Sequence, residues 1–375
     1  MPAGRLGATR RLGLYCPDLP PVRGGVADHT LVLARALAAH GIDVTVLGRR
    51  GDPAVFRPIP CRVGVSHRPG ATGLAAACRA MGLTHLLVQY VPFLFARQGL
   101  APLLVASVGH AARMGVRVGL FIHEPWVPPT RLVWRLTGPP MRRQLLALVR
   151  RADAVFTPVP AFADFVRPAA RPGVPCVVVP IGSTIPALAA DRAECRRALG
   201  LGPEDIAVGV LSPAAAGAHT SWVVAAATAT QRRPDVHWLV LGSGSETEPR
   251  ELPDSGRVRR LGWLPADTLS RTLRALDVAV APFIDGLTLR RTSAMAALAH
   301  GVPLVSSRGP LFDPALADAA ACCADRGAFT AEVQRLIDDP GARRTLGARG
   351  EAFYRTGASV EVAAAQVSAQ LWDRP

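Results

Sequence analysis

At 375 residues the chain is long for one hydrophobic core, so two domains of ordinary size are expected. Hydrophobic residues make up 49% of it and no long polar or acidic tract occurs, which excludes a disordered chain. A formal charge of +15 would suggest nucleic acid as a partner. The 43 basic residues, however, are all arginine and scattered, aromatics are only 5%, and no nucleic-acid motif appears, so that partner is not expected.

Short apolar runs alternate with amphipathic stretches, the pattern of parallel-sheet α/β units. In the first half, strands are predicted at Arg11–Cys16, Asp43–Leu47, His85–Tyr90, Val116–His123, Ala154–Pro158 and Pro175–Pro180. Between the first two, Val26, Thr30, Leu33, Ala34 and Leu37 share one face of a helix over Val26–His40. A seam follows at "VPIGSTIPALAADRAECRRALGL", where Pro180, Gly182 and Pro186 separate a strand from a new helix. The second half repeats the scheme, with strands at Ile206–Leu211, His237–Leu241, Val258–Leu261, Val278–Pro282 and Pro303–Ser306. No strand follows the final helices from Arg343 to Trp372. Two α/β domains of similar size are therefore expected, with a ligand site in the cleft between them.

The seven cysteines form no C-x-x-C pair and their odd count argues against a closed disulfide framework; Cys322-Cys323 reads as a buried thiol pair. From Ala207 to Gln231 no charge occurs, but Pro213, Gly217 and His219 make that stretch strand, loop and helix rather than a membrane span. A cytoplasmic protein, soluble or peripheral at the inner face of a membrane, is expected. Between Pro125 and Ala152 there is no acidic residue, while Arg131, Arg135, Arg142, Arg143, Arg150 and Arg151 alternate with Trp126, Trp134 and several leucines. That composition fits either an interfacial segment on anionic lipid or a solvated basic face with an apolar inner side. Gly138-Pro139-Pro140 is expected to break it into two short helices.

Four stretches can carry chemistry. In "DLPPVRGGVADH", Gly24 and Gly25 open the first helix, where backbone amides can receive an anion or a sugar hydroxyl, or where the chain simply turns. "VGLFIHEPW" delivers His123 and Glu124 at the C-terminal end of a strand. "LVLGSGSE" places Gly242 and Gly244 after a strand, without a full G-x-G-x-x-G or a Walker lysine. In "PFIDGLTLRRTSAMAALAHGVPLVSS", Asp285-Gly286 turns out of a strand, and Arg290 and Arg291 precede a small-residue helix that Ser293 opens. A helix N-terminus and two bidentate donors there would suit a diphosphate or a crowded set of hydroxyls.

Together these motifs resemble the retaining nucleotide-sugar glycosyltransferases of the GT-B fold, glycosyltransferase family 4 in particular, over nearly the whole chain. The likeness rests on "PPVRGGVADHTLVLARALAAHGIDVTVL", "FIHEP", "VVVPIGSTIP" and, most specifically, "RLGWLPADTLSRTLRALDVAVAPFIDGLTLRRTSAMAALAHGVPLVSS". The resemblance implies two Rossmann-like domains facing across a cleft: an acceptor domain over 1–181, a nucleotide-sugar domain over 182–342, and helices over 343–375 returning to the first. It implies that Gly24 and Gly25 lie near the donor sugar and phosphates and that His123 meets the sugar or β-phosphate. Asp285 would hold sugar hydroxyls, and amides at Gly286 and Leu287, with Arg290, Arg291 and Ser293, would receive the diphosphate. Gly242, Gly244, Trp263 and Leu264 would border the base, with Asp28 and Glu124 on the acceptor side. No cofactor and no metal are expected beyond the nucleotide-diphosphate sugar, and the acceptor would be a saccharide, a lipid-linked sugar or a small molecule.

Three departures from the family pattern stand out. Its paired glutamates become Asp285 and Ser293, so the carboxylate that usually binds the ribose is missing. The expected basic pair is replaced by "VLSPAAAGAHTSW", which offers only His219, and Ile181-Gly182-Ser183 lacks the usual asparagine. Arg290 and Arg291 would supply the lost cations. The alternatives are a catalytically inactive GT-B protein that binds a nucleotide sugar or assists a partner transferase, and a nucleotide-sugar epimerase.

Overall fold

The computed structural model describes residues 10–22, 24–125, 132–211, 217–242, 252–253 and 256–372. The chain divides into two compact units, one of Met1–Pro180 with Val360–Pro375 and one of Ile181–Ser359.

The first unit is built on seven strands: β1 (Arg11–Tyr15), β2 (Asp43–Leu47), β3 (Cys61–Arg62), β4 (His85–Tyr90), β5 (Arg117–Ile122), β6 (Ala154–Thr157) and β7 (Cys176–Val178). All pair in parallel, in the order β3-β2-β1-β4-β5-β6-β7. Side-chain alternation sends Tyr15, Val88, Tyr90, Leu120 and Ile122 into one core. Leu74, Leu104, Val108, Leu145 and Leu148, from three helices, close over that face. The other face carries Leu14, Leu87 and Phe121 beneath Leu33 and Leu37 of the helix Gly25–Ala39, which in turn packs on the returning helix Val360–Trp372.

The second unit holds β8 (Ile206–Leu211), β9 (Val236–Leu241), β10 (Val258–Gly262), β11 (Val278–Val280), β12 (Leu304–Ser307) and β13 (Ala321–Cys323). These are again parallel, in the order β10-β9-β8-β11-β12-β13. Val208, Val210, Trp238, Val240, Val278, Val280 and Val305 form its core with Phe329, Val333 and Leu336 of the helix Arg326–Asp338.

Three sequence expectations change. The chain does not leave the second unit at Arg343: the helix Pro340–Phe353 packs on Thr292–Ala299 and β12, and the return begins at Val360. Gly347 and Gly350 make this packing possible, because a Cβ at either would collide with the backbone of Gly301 or Ala319. Gly138-Pro139-Pro140 does not break the basic segment, since one helix runs over Leu132–Val149. The prolines cost the bonds to the carbonyls of Arg135 and Leu136, which lie on the exposed side where water can satisfy them. Downstream, Met141, Leu145 and Leu148 anchor the helix in the core. Third, of the expected buried pair Cys322-Cys323, which lies on an edge strand with both thiols free, Cys323 is buried and Cys322 only half-buried.

Candidate functional site

In an open parallel sheet, ligands bind beyond the C-terminal ends of the strands where the strand order reverses. That point lies between β8 and β11 in the second unit and between β1 and β4 in the first. Residues singled out from the sequence follow both.

After β11 the chain enters a tightly bonded loop. The Phe283 amide donates to Ser307 Oγ at 2.6 Å, and the Ile284 amide to the Gly217 carbonyl at 2.7 Å. Leu311 and Asp313 amides donate back to Asp285 and Leu287 carbonyls at 2.8 and 3.0 Å. Gly286 has φ +91°, and a Cβ there would stand 2.7 Å from the Gly309 amide nitrogen, so only glycine fits. This frame holds Asp285 where its carboxylate receives two guanidinium groups. Arg290 Nη2 donates to Oδ2 at 2.5 Å and Arg291 Nη2 donates to Oδ1. The Arg291 guanidinium also lies 4.2 Å from the ring centroid of Phe283, a cation–π contact. Side-chain exposures of 26%, 16% and 15% for Asp285, Arg290 and Arg291 keep the cluster largely out of water, where charge interactions are strong. Two cations on one carboxylate leave a net positive charge.

The helix Thr292–Ala299 begins at this cluster with Arg291 as N-cap and no side-chain cap, so its N-terminus adds partial positive charge. Gly286 and Leu287 do not act as the resemblance implies in this conformation. Their amides already donate to the Phe283 and Ser307 carbonyls, and Leu287 is fully buried. Beside the helix start is a cavity of about 170 Å³ lined by Leu211, Leu241, Gly242, Leu273, Thr292 and Ser293 among others. Its described lining is uncharged, and it brings Gly242 and Ser293 together. Trp263 is 60% exposed beyond β10 and, like Leu264, is not part of that lining. Gly244 lies outside the described residues. His219 caps the next helix, its amide bonded to the Pro282 carbonyl at 2.9 Å. Its ring stacks on Trp222 at 4.3 Å and burial lowers its pKa, so it supplies no cation near neutral pH.

In the first unit, Gly24 is the N-cap of the helix Gly25–Ala39 in an extended conformation. A Cβ at Gly24 or Gly25 would meet nothing within 4 Å, so the fold itself does not demand glycine at either position. Asp28, on the first turn, is exposed, and desolvation by neighbouring bulk raises its pKa. His123 follows β5 and is 4% exposed. Its Nε2 is bonded to Gln89 Oε1 at 2.5 Å, its ring stacks on Phe121 at 4.8 Å, and His29 approaches it edge-on at 5.0 Å. Glu124 is half-buried beside it.

Sequence reasoning missed Gln89, His29 and Phe283. Gln89 had a signal: one amide after the apolar run Leu86–Val88 in "HLLVQY", which on a fully buried strand calls for a partner. The apolar cavity walls had none, because their leucines read as core.

Residues 23–183 match the model of Glycosyltransferase Family 4, and residues 202–339 match that of Glycosyl transferases group 1. No curated protein matches the sequence. Among solved structures, a glycosyltransferase from Rickettsia africae ESF-5 has a TM-score of 0.72 at 10% identity, covering 98% of this chain and 100% of that one. Anabaena Alr3699/HepE, in complex with UDP and glucose, has a TM-score of 0.70 at 15% identity over 97% and 100%. WaaG, a glycosyltransferase involved in lipopolysaccharide biosynthesis, has a TM-score of 0.64 at 14% identity over 97% and 100%. The two doubly wound units are those of the GT-B fold.

Proposed function

The chain belongs to the family 4, group 1 glycosyltransferases, and we propose that it moves a sugar from a nucleoside-diphosphate sugar to an acceptor hydroxyl with retention of anomeric configuration. The observation that carries this reading is the Asp285–Arg290–Arg291 cluster at the switch point, beside an uncapped helix and an uncharged cavity. Complexes of Anabaena HepE with UDP and with UDP-glucose support a nucleoside-diphosphate hexose as the donor class.

In the free protein Asp285 occupies both guanidiniums. On donor binding the diphosphate oxygens take those donors, and the released carboxylate is free to accept from sugar hydroxyls. As the bond between the anomeric carbon and the β-phosphate oxygen breaks, the electron pair leaves with the diphosphate. Arg290, Arg291 and the helix N-terminus stabilise that charge, so protein cations replace a metal in the reaction. The acceptor oxygen then bonds the anomeric carbon on the face the diphosphate left, and its proton passes to the departing β-phosphate oxygen. His123 meets the sugar or β-phosphate, and the Gly24-Gly25 turn admits the donor closely. Gly242, Trp263 and Leu264 border the base, and Asp28 and Glu124 face the acceptor.

A peripheral membrane contact belongs to this reading. Val133 and Leu136 are 47% and 71% exposed on the helix that also exposes Arg135, Arg142 and Arg143, and no helix among the described residues is long and apolar enough to cross a membrane. Arg131 and Trp126 of that segment lie outside the described residues. Binding without turnover is the second reading, motivated by Ser293 standing where the family pattern has a carboxylate. Incubation with a panel of nucleoside-diphosphate sugars and saccharide acceptors separates the two. Release of nucleoside diphosphate with a glycosylated product supports transfer, whereas saturable binding with no release across the panel supports the accessory role.

A further inference from the structure

The first unit carries a buried polar cluster that its fold does not explain. Gln89 and His29 are both 0% exposed. Neither ring nitrogen of His29 makes a hydrogen bond of full geometry, and neither does Gln89 Nε2, although the Gln89 amide lies close enough to His29 to raise its pKa against the larger effect of burial. Buried polar atoms left in this state cost roughly 1–3 kcal/mol each, and such groups call for a reason beyond packing. Both side chains meet at His123. Gln89 projects from β4 on the same face as Phe121, which pairs with it across the sheet. His29 packs on Phe121 from the helix above at 5.1 Å, and His123 completes the set through Gln89 Oε1 and through both rings.

We propose that Gln89 and His29 are positioning residues that hold His123 in one orientation and one tautomer, with the proton on Nε2. With Gln89 Oε1 as the acceptor, the 2.5 Å bond places a proton on His123 Nε2. His29 supplies an uncharged wall that stops the ring from turning away. The titratable groups beside His123 are His29 from the helix, in ring contact with it, and Glu124, next in its own segment. Burial holds the His29 imidazole near 4, so it is neutral in the working range. The inference rests on the reading of His123 as a donor contact.

The test uses Gln89→Met and His29→Phe in the full chain, which preserve size and remove the polar atoms. A structural role predicts a lower melting temperature in both. Positioning predicts melting temperatures unchanged or raised, with kcat for sugar transfer down about 10- to 100-fold and donor KM moving much less. Nitrogen-15 histidine NMR, with His123 assigned by its loss in His123→Asn, reads the tautomer directly and needs no turnover. An Nε2–H tautomer in the wild type that becomes mixed in Gln89→Met supports the proposal. An Nδ1–H tautomer, or one indifferent to Gln89→Met, overturns it. If the wild type transfers no sugar while the tautomer result stands, the assigned reaction has failed and the positioning has not.

Discussion

The two switch points share a topology and differ in chemistry. In the second unit the loop after β11 concentrates charge, with Asp285 held between two arginines and the Phe283, Ile284, Gly286 and Leu287 amides engaged by neighbours. In the first unit the ends of β4 and β5 hold the Gln89 amide and His123 beneath His29, all sunk in the core, and burial keeps the His29 imidazole neutral. Charge is tolerated in one because both guanidiniums meet the same carboxylate. In the other, burial itself suppresses charge. A doubly wound sheet thus fixes where chemistry can sit, while the loop sequence decides which kind it is.

The sharpest way to break this contrast is Asp285→Ala. It strands two largely buried guanidiniums and removes the proposed sugar contact, so turnover should fall by about 10²- to 10³-fold in a steady-state assay. Next is the pH profile of stability. The folded His29 titrates near 4 against an ordinary value of 6.5, so between those values the unfolded chain binds more protons than the folded one. Stability should be full above pH 6.5 and fall as pH drops to 4, with His29 contributing about 3 kcal/mol and His85, also held near 4 by burial, a comparable share, as read by urea unfolding; His29→Phe should remove the His29 share alone. Gly286→Ala forces a side chain against the Gly309 backbone at positive φ and should cost roughly 1–3 kcal/mol by the same unfolding measurement. Smaller still is Arg291→Lys, which keeps the charge but loses the fork and the flat contact with Phe283, about 1 kcal/mol of donor affinity by calorimetry.

Most of the framework was legible in the sequence. Eleven strands read from apolar runs lie within a residue or two of their expected places, because buried parallel strands are continuous apolar segments. Cys61–Arg62 and Ala321–Cys323 were missed as edge strands of two and three residues, too short to show any period. At the site, Asp285 and the arginine pair stood out because charge between an apolar strand and an alanine-rich helix has few structural uses. That they bond to each other was not legible, since it depends on the turn at Gly286. Nor could the sequence show that the Gly286 and Leu287 amides are consumed within the loop, because their acceptors, Phe283 and Ser307, include one 20 residues downstream. Helix Leu132–Val149 shows the opposite failure: local proline chemistry predicted a break that tertiary anchoring of Met141 and Leu145 overrides.

The central claim is that Arg290 and Arg291 receive the donor's diphosphate. Calorimetric titration of UDP and UMP into the wild type, Arg290→Ala and Arg291→Ala tests it most directly, because the two ligands differ by the β-phosphate alone. The account predicts that each substitution weakens UDP by about tenfold or more, leaves UMP nearly unchanged, and preserves the melting transition. Unchanged UDP affinity in both variants would contradict it.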